Sequence, residues 1–320
     1  MCAVVPTRPS GVADIAIHLL FAEEEGRRHV DVLLAIITLF GLYGLVTVGM
    51  AVTFAATRVV NLAQGDLVMV GAYTAAVVTG PAFGWRVTLA LVGAAPLLVL
   101  IERLLLRRPL SDPLATMLVT WGVGMALRQV AELQFTSTAR SVKPPIAGTV
   151  TVLTAPYPAY RLVCGLVAVA VIGLVLLAAY RTGWGLTLRA VADNPTMAAL
   201  LGIDPRRLRT IAFVLGGLLA VLAGALYSPL LAVTPTMGFG LLVPVFFGLL
   251  FSRPGALATA AAAALLIAAL SVLLRVWMSD VLAEVLFYLI IVAIAALRSR
   301  PWIRRYSSWL TRVRVPARAS

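Results

Sequence analysis

The chain has 320 residues, 61% of them hydrophobic and 12% charged, a balance that excludes a soluble globule for most of its length. Its formal charge of +13 is not spread over a soluble face, as a nucleic-acid binder would need, because the arginines cluster between apolar runs. Those runs are continuous rather than alternating, which excludes a membrane β-barrel and leaves an all-α polytopic membrane protein.

Residues 1–31 read as an N-terminal external or interfacial tail: the apolar stretch 11–22 is short, carries Asp14 and His18, and runs into three glutamates, unlike a cleaved signal. A transmembrane region follows at 32–297, with its first span at 32–56. Gly41, Gly44 and Gly49 in that span are at near-helical spacing, which suits either a close helix approach or general membrane composition. The span ends at a polar interruption, Asn61-Leu62-Ala63-Gln64-Gly65-Asp66, with uncharged stretches at 32–56 and 67–80 on either side. A carboxylate at the hydrocarbon boundary costs roughly 2.5 to 3.5 kcal/mol and is usually functional or paired. The other reading is a polar turn in the headgroup region.

Further spans are predicted at 67–80, 87–106 and 113–133. The last opens with Ser111 or Asp112 as cap and Pro113 in the first turn. On it Arg128 and Glu132 are four residues apart and are predicted to face each other. The connector 134–158 contains Pro144, Pro145, Pro156 and Pro158 and reads as an external loop, before a fifth span at 159–180. The connector 182–206 leads to a sixth span at 208–227, rich in glycine at Gly216, Gly217 and Gly224. Residues 230–252 are apolar but interrupted by Pro235, Gly238, Gly240 and Pro244, and two more spans follow at 256–274 and 281–297. The basic tail 298–320 places Trp302, Tyr306, Trp309 and Val313 on one helical face, an interfacial anchor suited to anionic lipid rather than nucleic acid.

This makes about nine transmembrane segments, two of them broken. Arginine clusters mark the cytoplasmic side: Arg103, Arg107 and Arg108; Arg181, Arg189, Arg206, Arg207 and Arg209; and the arginines after residue 297. The N-terminus is then expected outside and the C-terminus inside. Spans one to four and six to nine have opposite orientations about the fifth, an inverted repeat whose halves are each interrupted in their second member. Corresponding breaks of this kind point to a transporter's substrate site.

The sequence offers no energy source or reaction centre of its own. A P-loop needs a lysine after its glycines, and the only lysine is Lys143, in Ser-Val-Lys-Pro-Pro. ATP and its magnesium are therefore expected on a separate subunit, with no cofactor and no metal on this chain. His18 and His29 both precede the first span, and Asp66 has no second membrane carboxylate to share a proton with, so an intramembrane enzyme is not expected. Cys2 and Cys164, one in the tail and one in an apolar run, do not suggest a disulfide. In the connector 182–206, Asn194 as cap, Pro195 as first residue and Gly202 as terminator predict a two-turn helix at 195–201 exposing Met197, Leu200 and Leu201. Such a helix either lies on the membrane or docks into another protein's groove.

Two motifs resemble one known family. Asn61-Leu62-Ala63-Gln64-Gly65-Asp66 with Met69-Val70-Gly71-Ala72-Tyr73 is similar to the Asn-Phe-Ala-His-Gly-(Asp/Glu)…Met-Leu-Gly-Ala-Tyr signature of LivH-type permeases of branched-chain amino acid ABC importers. Gly185-Leu186, Leu188-Arg189-Ala190-Val191-Ala192, Asn194-Pro195 and Ala199-Leu200-Leu201-Gly202-Ile203-Asp204 resemble that family's cytoplasmic loop, and Thr234-Pro235…Met237-Gly238-Phe239 continues the match. The resemblance implies a subunit that pairs with a second permease, two ATP-binding cassette subunits and a soluble substrate-binding protein. It implies a substrate pathway or gate at Asn61, Gln64, Gly65, Asp66, Tyr73, Met237 and Gly238. It also implies an ATPase-coupling element with Arg189, Asn194, Pro195, Met197, Leu200, Leu201 and Gly202. Asp66 would either attract a substrate ammonium or pair with Arg58 and fix the break.

The chain departs from the family pattern at Gln64, in place of His, at Leu62, in place of an aromatic residue, and at Leu249 and Phe251, where glycines are usual. Urea and short-amide permeases share the scaffold, so the substrate stays open between them and branched-chain or related hydrophobic amino acids. A channel or ion-driven carrier would use the same interrupted helices without cassettes.

Overall fold

The computed structural model describes residues 11–299 except 79, 81, 107–111, 153, 154 and 254. For 11–28, 105, 106, 155, 298 and 299 the backbone alone is described. The predicted C-terminal anchor, Trp302 to Val313, lies outside the described residues.

Among the described residues, seven helices are long and apolar enough to cross a membrane. They belong to α1 (Gly11–Thr57), α3 (Phe83–Ile101), α4 (Pro113–Phe135), α5 (Ala159–Arg181), α8 (Pro205–Tyr227), α10 (Leu257–Trp277) and α11 (Asp280–Ser299). Two more, α2 (Gln64–Val77) and α9 (Met237–Leu250), have 14 residues each, about 21 Å at 1.5 Å per residue and short of a bilayer core of about 30 Å. These two occupy the positions where the sequence predicts interrupted segments. The second interruption is placed more narrowly than predicted: it ends before Met237, and Pro244 sits inside a helix that stays continuous. The short helices α6 (Gly183–Asp193) and α7 (Pro195–Leu200) fill the connector before α8.

Local chemistry sets several of these boundaries. Asp112, Asn194 and Asp204 each accept hydrogen bonds from the first helical N–H groups of α4, α7 and α8, and each is followed by a proline. Gly202, with φ +82°, ends the α7 turn in the left-handed region. Two features exceed the sequence reading. α1 is helical from Gly11, although its apolar part starts only near residue 29. The external loop contains a hairpin, β1 (Thr149–Val152) paired antiparallel with β2 (Ala155–Pro158).

α1 and α8 pack against each other at the centre, with α2, α3, α5, α9 and α10 around them and α11 on the periphery. The approach is close because it is made through glycine. A Cβ on Gly49 would lie 2.6 Å from Gly216 O on α8, and a Cβ on Gly216 would collide with Gly49 O. Gly41 and Gly44 similarly face Ala168 and Ile172 of α5, so the glycines of the first span serve close helix packing.

Candidate functional site

The polar break begins where α1 unwinds. Arg58 takes φ +58°, and the Thr57 hydroxyl donates back to Thr53 O at 2.8 Å while accepting from Val59 N–H. Asn61 Oδ1 then accepts from Ala63 N–H at 3.1 Å, and Asn61 Nδ2 donates to Gln64 Oε1 at 3.2 Å. Gln64 Nε2 reaches across to Gly216 O on α8 at 3.0 Å. Asn61, Gln64 and Asp66 are all buried, and Gln64 is fully enclosed.

Asp66 is held by Arg128 of α4 in a two-pronged ion pair, Nε to Oδ1 at 3.0 Å and Nη2 to Oδ2 at 3.2 Å. The guanidinium also sits 3.8 Å from the centre of the Phe239 ring, which Trp121 meets edge-on. Both predicted pairings of these charges are therefore corrected. Arg58 is exposed and does not hold Asp66, and Arg128 turns to Asp66 rather than to Glu132. The reason is burial: a carboxylate 3% exposed needs a paired, hydrogen-bonding partner, and Arg128 supplies two parallel donors.

One face of α4 is built to receive the break. Thr120 Oγ1 accepts from Leu62 N–H at 3.2 Å, Gly124 leaves room for the Asp66 carboxylate, and Arg128 binds it. These residues are four apart, so they stack along one side of a helix. That spacing marks Arg128 in the sequence as a cation inside an apolar span, on the same stripe as a small and a hydroxyl residue, but it does not announce Asp66 as its partner.

The two broken segments meet. Gly65 and Gly238, each the second residue of its short helix, cross so closely that a Cβ on either would collide with the other's carbonyl oxygen. Met237, beside that crossing, packs against the cluster around Tyr73, which is buried and stacks on Phe135 at 4.9 Å. The structure thus brings Gly65, Asp66, Met237 and Gly238 together at the crossing, with Asn61 and Gln64 in the turn that opens α2, while Tyr73 lies farther along α2 beside the end of α4. Met237 also lines a cavity of about 270 Å³ shared by α1, α9, α10 and α11, with Arg275, Glu284 and Tyr288 among its walls.

The predicted coupling element lies elsewhere, in the connector. Asn194 Oδ1 accepts from Thr196 N–H and Met197 N–H, at 3.1 and 3.0 Å, and Ala198 fixes α7 to the bundle as its buried residue. Met197, Leu200 and Leu201 point outward, 59%, 78% and 79% exposed. Pro195 and Gly202 bound this surface, also exposed. Arg189 is separate from it, half-buried on α6 with its guanidinium over the Tyr180 ring.

Comparison with known proteins follows the same lines. Residues 32–295 match the model of a family described as the branched-chain amino acid transport system permease component. A probable branched-chain amino acid transport permease protein LivH of Methanocaldococcus jannaschii is 37% identical over 75 residues, 23% of this chain and 24% of the relative. The high-affinity branched-chain amino acid transport system permease protein LivH of Escherichia coli K12 is 26% identical over 223 residues, 63% of this chain and 72% of the relative. Its Salmonella typhimurium LT2 counterpart matches to the same extent. No solved structure matches the chain. A match across most of the length, on a bundle of membrane-length helices, decides the matter: the chain is an integral membrane protein and belongs to the branched-chain amino acid permease component family.

Proposed function

We propose that this permease component is the transmembrane subunit of an ABC importer that carries a branched-chain or related hydrophobic amino acid into the cytoplasm. It acts in the bacterial inner membrane with a second permease subunit, two ATP-binding cassette subunits that hold ATP and magnesium, and a soluble substrate-binding protein. The family and the names of its relatives support the substrate class. The observation that carries the importer reading is α7, capped at both ends and presenting Met197, Leu200 and Leu201 to the outside. In an arginine-rich connector, expected in the cytoplasm, such a short rigid apolar ridge suits the groove of a protein partner.

The inverted repeat gains support from the crossings at Gly49 and Gly216 and at Gly65 and Gly238. Each is reciprocal, as a pseudo-twofold axis requires, and joins corresponding helices of α1–α4 and α8–α11. The pathway runs beside the α2 and α9 crossing, and closure of the cassettes pushes α7 to change its exposure. Asp66, consumed by Arg128, fixes the break rather than the substrate.

The test is Leu200→Glu with Leu201→Glu in the complete importer. Membrane insertion is expected to persist, while cassette binding and uptake of radiolabelled leucine fall at least tenfold. Retained cassette binding and uptake would refute the docking role.

A further inference from the structure

The ends of α1, α3, α4 and α8 nearest the connector enclose a cavity of about 20 Å³, whose walls include Thr53, Thr57, Asn61, Glu102, Thr120 and Arg209. That is room for about one water. Two of these residues are charged and incompletely satisfied. Glu102 is 3% exposed and its Oε2 is buried without a hydrogen-bond partner; Arg209 Nε is buried without one as well. Among the described residues Glu102 forms no direct ion pair. A buried carboxylate needs compensation, and the cavity that Glu102 lines offers a place to supply it. The opposite charge lining the same water-sized space is Arg209.

We propose that Glu102 and Arg209, bridged through one buried water, form a latch that ties α3 to α8 and senses movement of α7. Their positions give the latch its mechanical input. Arg209 is in the first turns of α8, joined to α7 only by Leu201, Gly202, Ile203 and the cap Asp204. The Asn194 and Asp204 caps make each end of this elbow rigid, so displacement of α7 turns the start of α8 and with it the Arg209 side chain. Glu102 opens a π-helical turn, Glu102–Leu106, at the end of α3. Such turns interrupt the regular ladder and commonly mark functional positions. Asn61 on the same cavity wall ties the latch to the polar break, through Gln64. Glu102 and Arg209 act as positioning residues, connecting the connector to the pathway without touching substrate.

The latch rests on the reading of α7 as the docking element, and the experiment separates the two. In the complete importer, reconstituted in proteoliposomes, Glu102→Gln and Arg209→Gln are each expected to raise the ATP hydrolysed per radiolabelled leucine imported about tenfold. The double substitution should do no more than either alone, because both remove the same link, and Arg209→Lys should restore part of the coupling. Independent, additive losses would overturn the latch. In a chain with Cys2 and Cys164 replaced by Ala, the pair Glu102→Cys and Arg209→Cys should cross-link to different extents in the nucleotide-free and ATP-trapped complexes. Equal cross-linking would also overturn it. If Leu200→Glu with Leu201→Glu leaves cassette binding intact, the docking reading fails; if that variant uncouples while the cycle is additive, the latch alone fails.

Discussion

The polar break and the α7 ridge invert the usual expectation of where a membrane protein keeps its available groups. Asn61, Gln64 and Asp66 lie where polar groups are expensive, and each is spent on a protein partner: a turn N–H, a carbonyl of α8, a guanidinium of α4. Met197, Leu200 and Leu201 lie in a connector, where apolar groups are expensive, and remain uncovered. The contrast teaches that residue type alone does not identify a site. A polar group inside the membrane marks a joint when its bonds are complete, whereas an apolar group outside marks an interface when it has no neighbour.

Three substitutions probe this contrast. The largest effect is expected at the ion pair: Asp66→Ala leaves Arg128 buried without its partner, a loss of about 3 to 5 kcal/mol. Thermal unfolding in detergent measures it, and adding Arg128→Met should return much of the loss; a double variant as unstable as the sum of the singles would mean the pair is not the joint. Next is Gly238→Ala, which forces α2 and α9 apart because the new methyl meets Gly65 O, at about 1 to 3 kcal/mol. Unaltered stability would show that the crossing is looser than described. The smallest is Asn194→Ala, which removes the α7 cap and costs about 1 kcal/mol of local helix stability. It should appear as faster hydrogen exchange confined to α7, and exchange spreading into α8 would argue that the two regions are not separable.

Much of this architecture is written in short stretches of sequence. Asp112-Pro113 and Asn194-Pro195 start helices because a cap and its N–H partners lie within three residues, and Gly202 ends one because a left-handed turn disfavours a Cβ. The two short helices were legible for a similar reason, as polar or proline and glycine interruptions of apolar runs. What joins distant segments was not legible. Arg128 has an acidic neighbour four residues on, the local choice, but burial of Asp66 selects a pairing across 62 residues. Gln64 bonds a backbone carbonyl, which no residue type at position 216 announces. The hairpin at 149–158 is not legible in the sequence because prolines dominate its second strand, an edge position where a missing N–H is tolerated.

One small contact bears on how the bundle can move. Arg140 and Val233 exchange two backbone hydrogen bonds, each 3.0 Å, joining the connector after α4 to the connector after α8. The two segments come from opposite halves of the chain and meet at the end of the bundle away from α7. The bridge holds the two connectors together at that end, so any separation of the halves would be smallest at Arg140 and Val233 and largest beside α7.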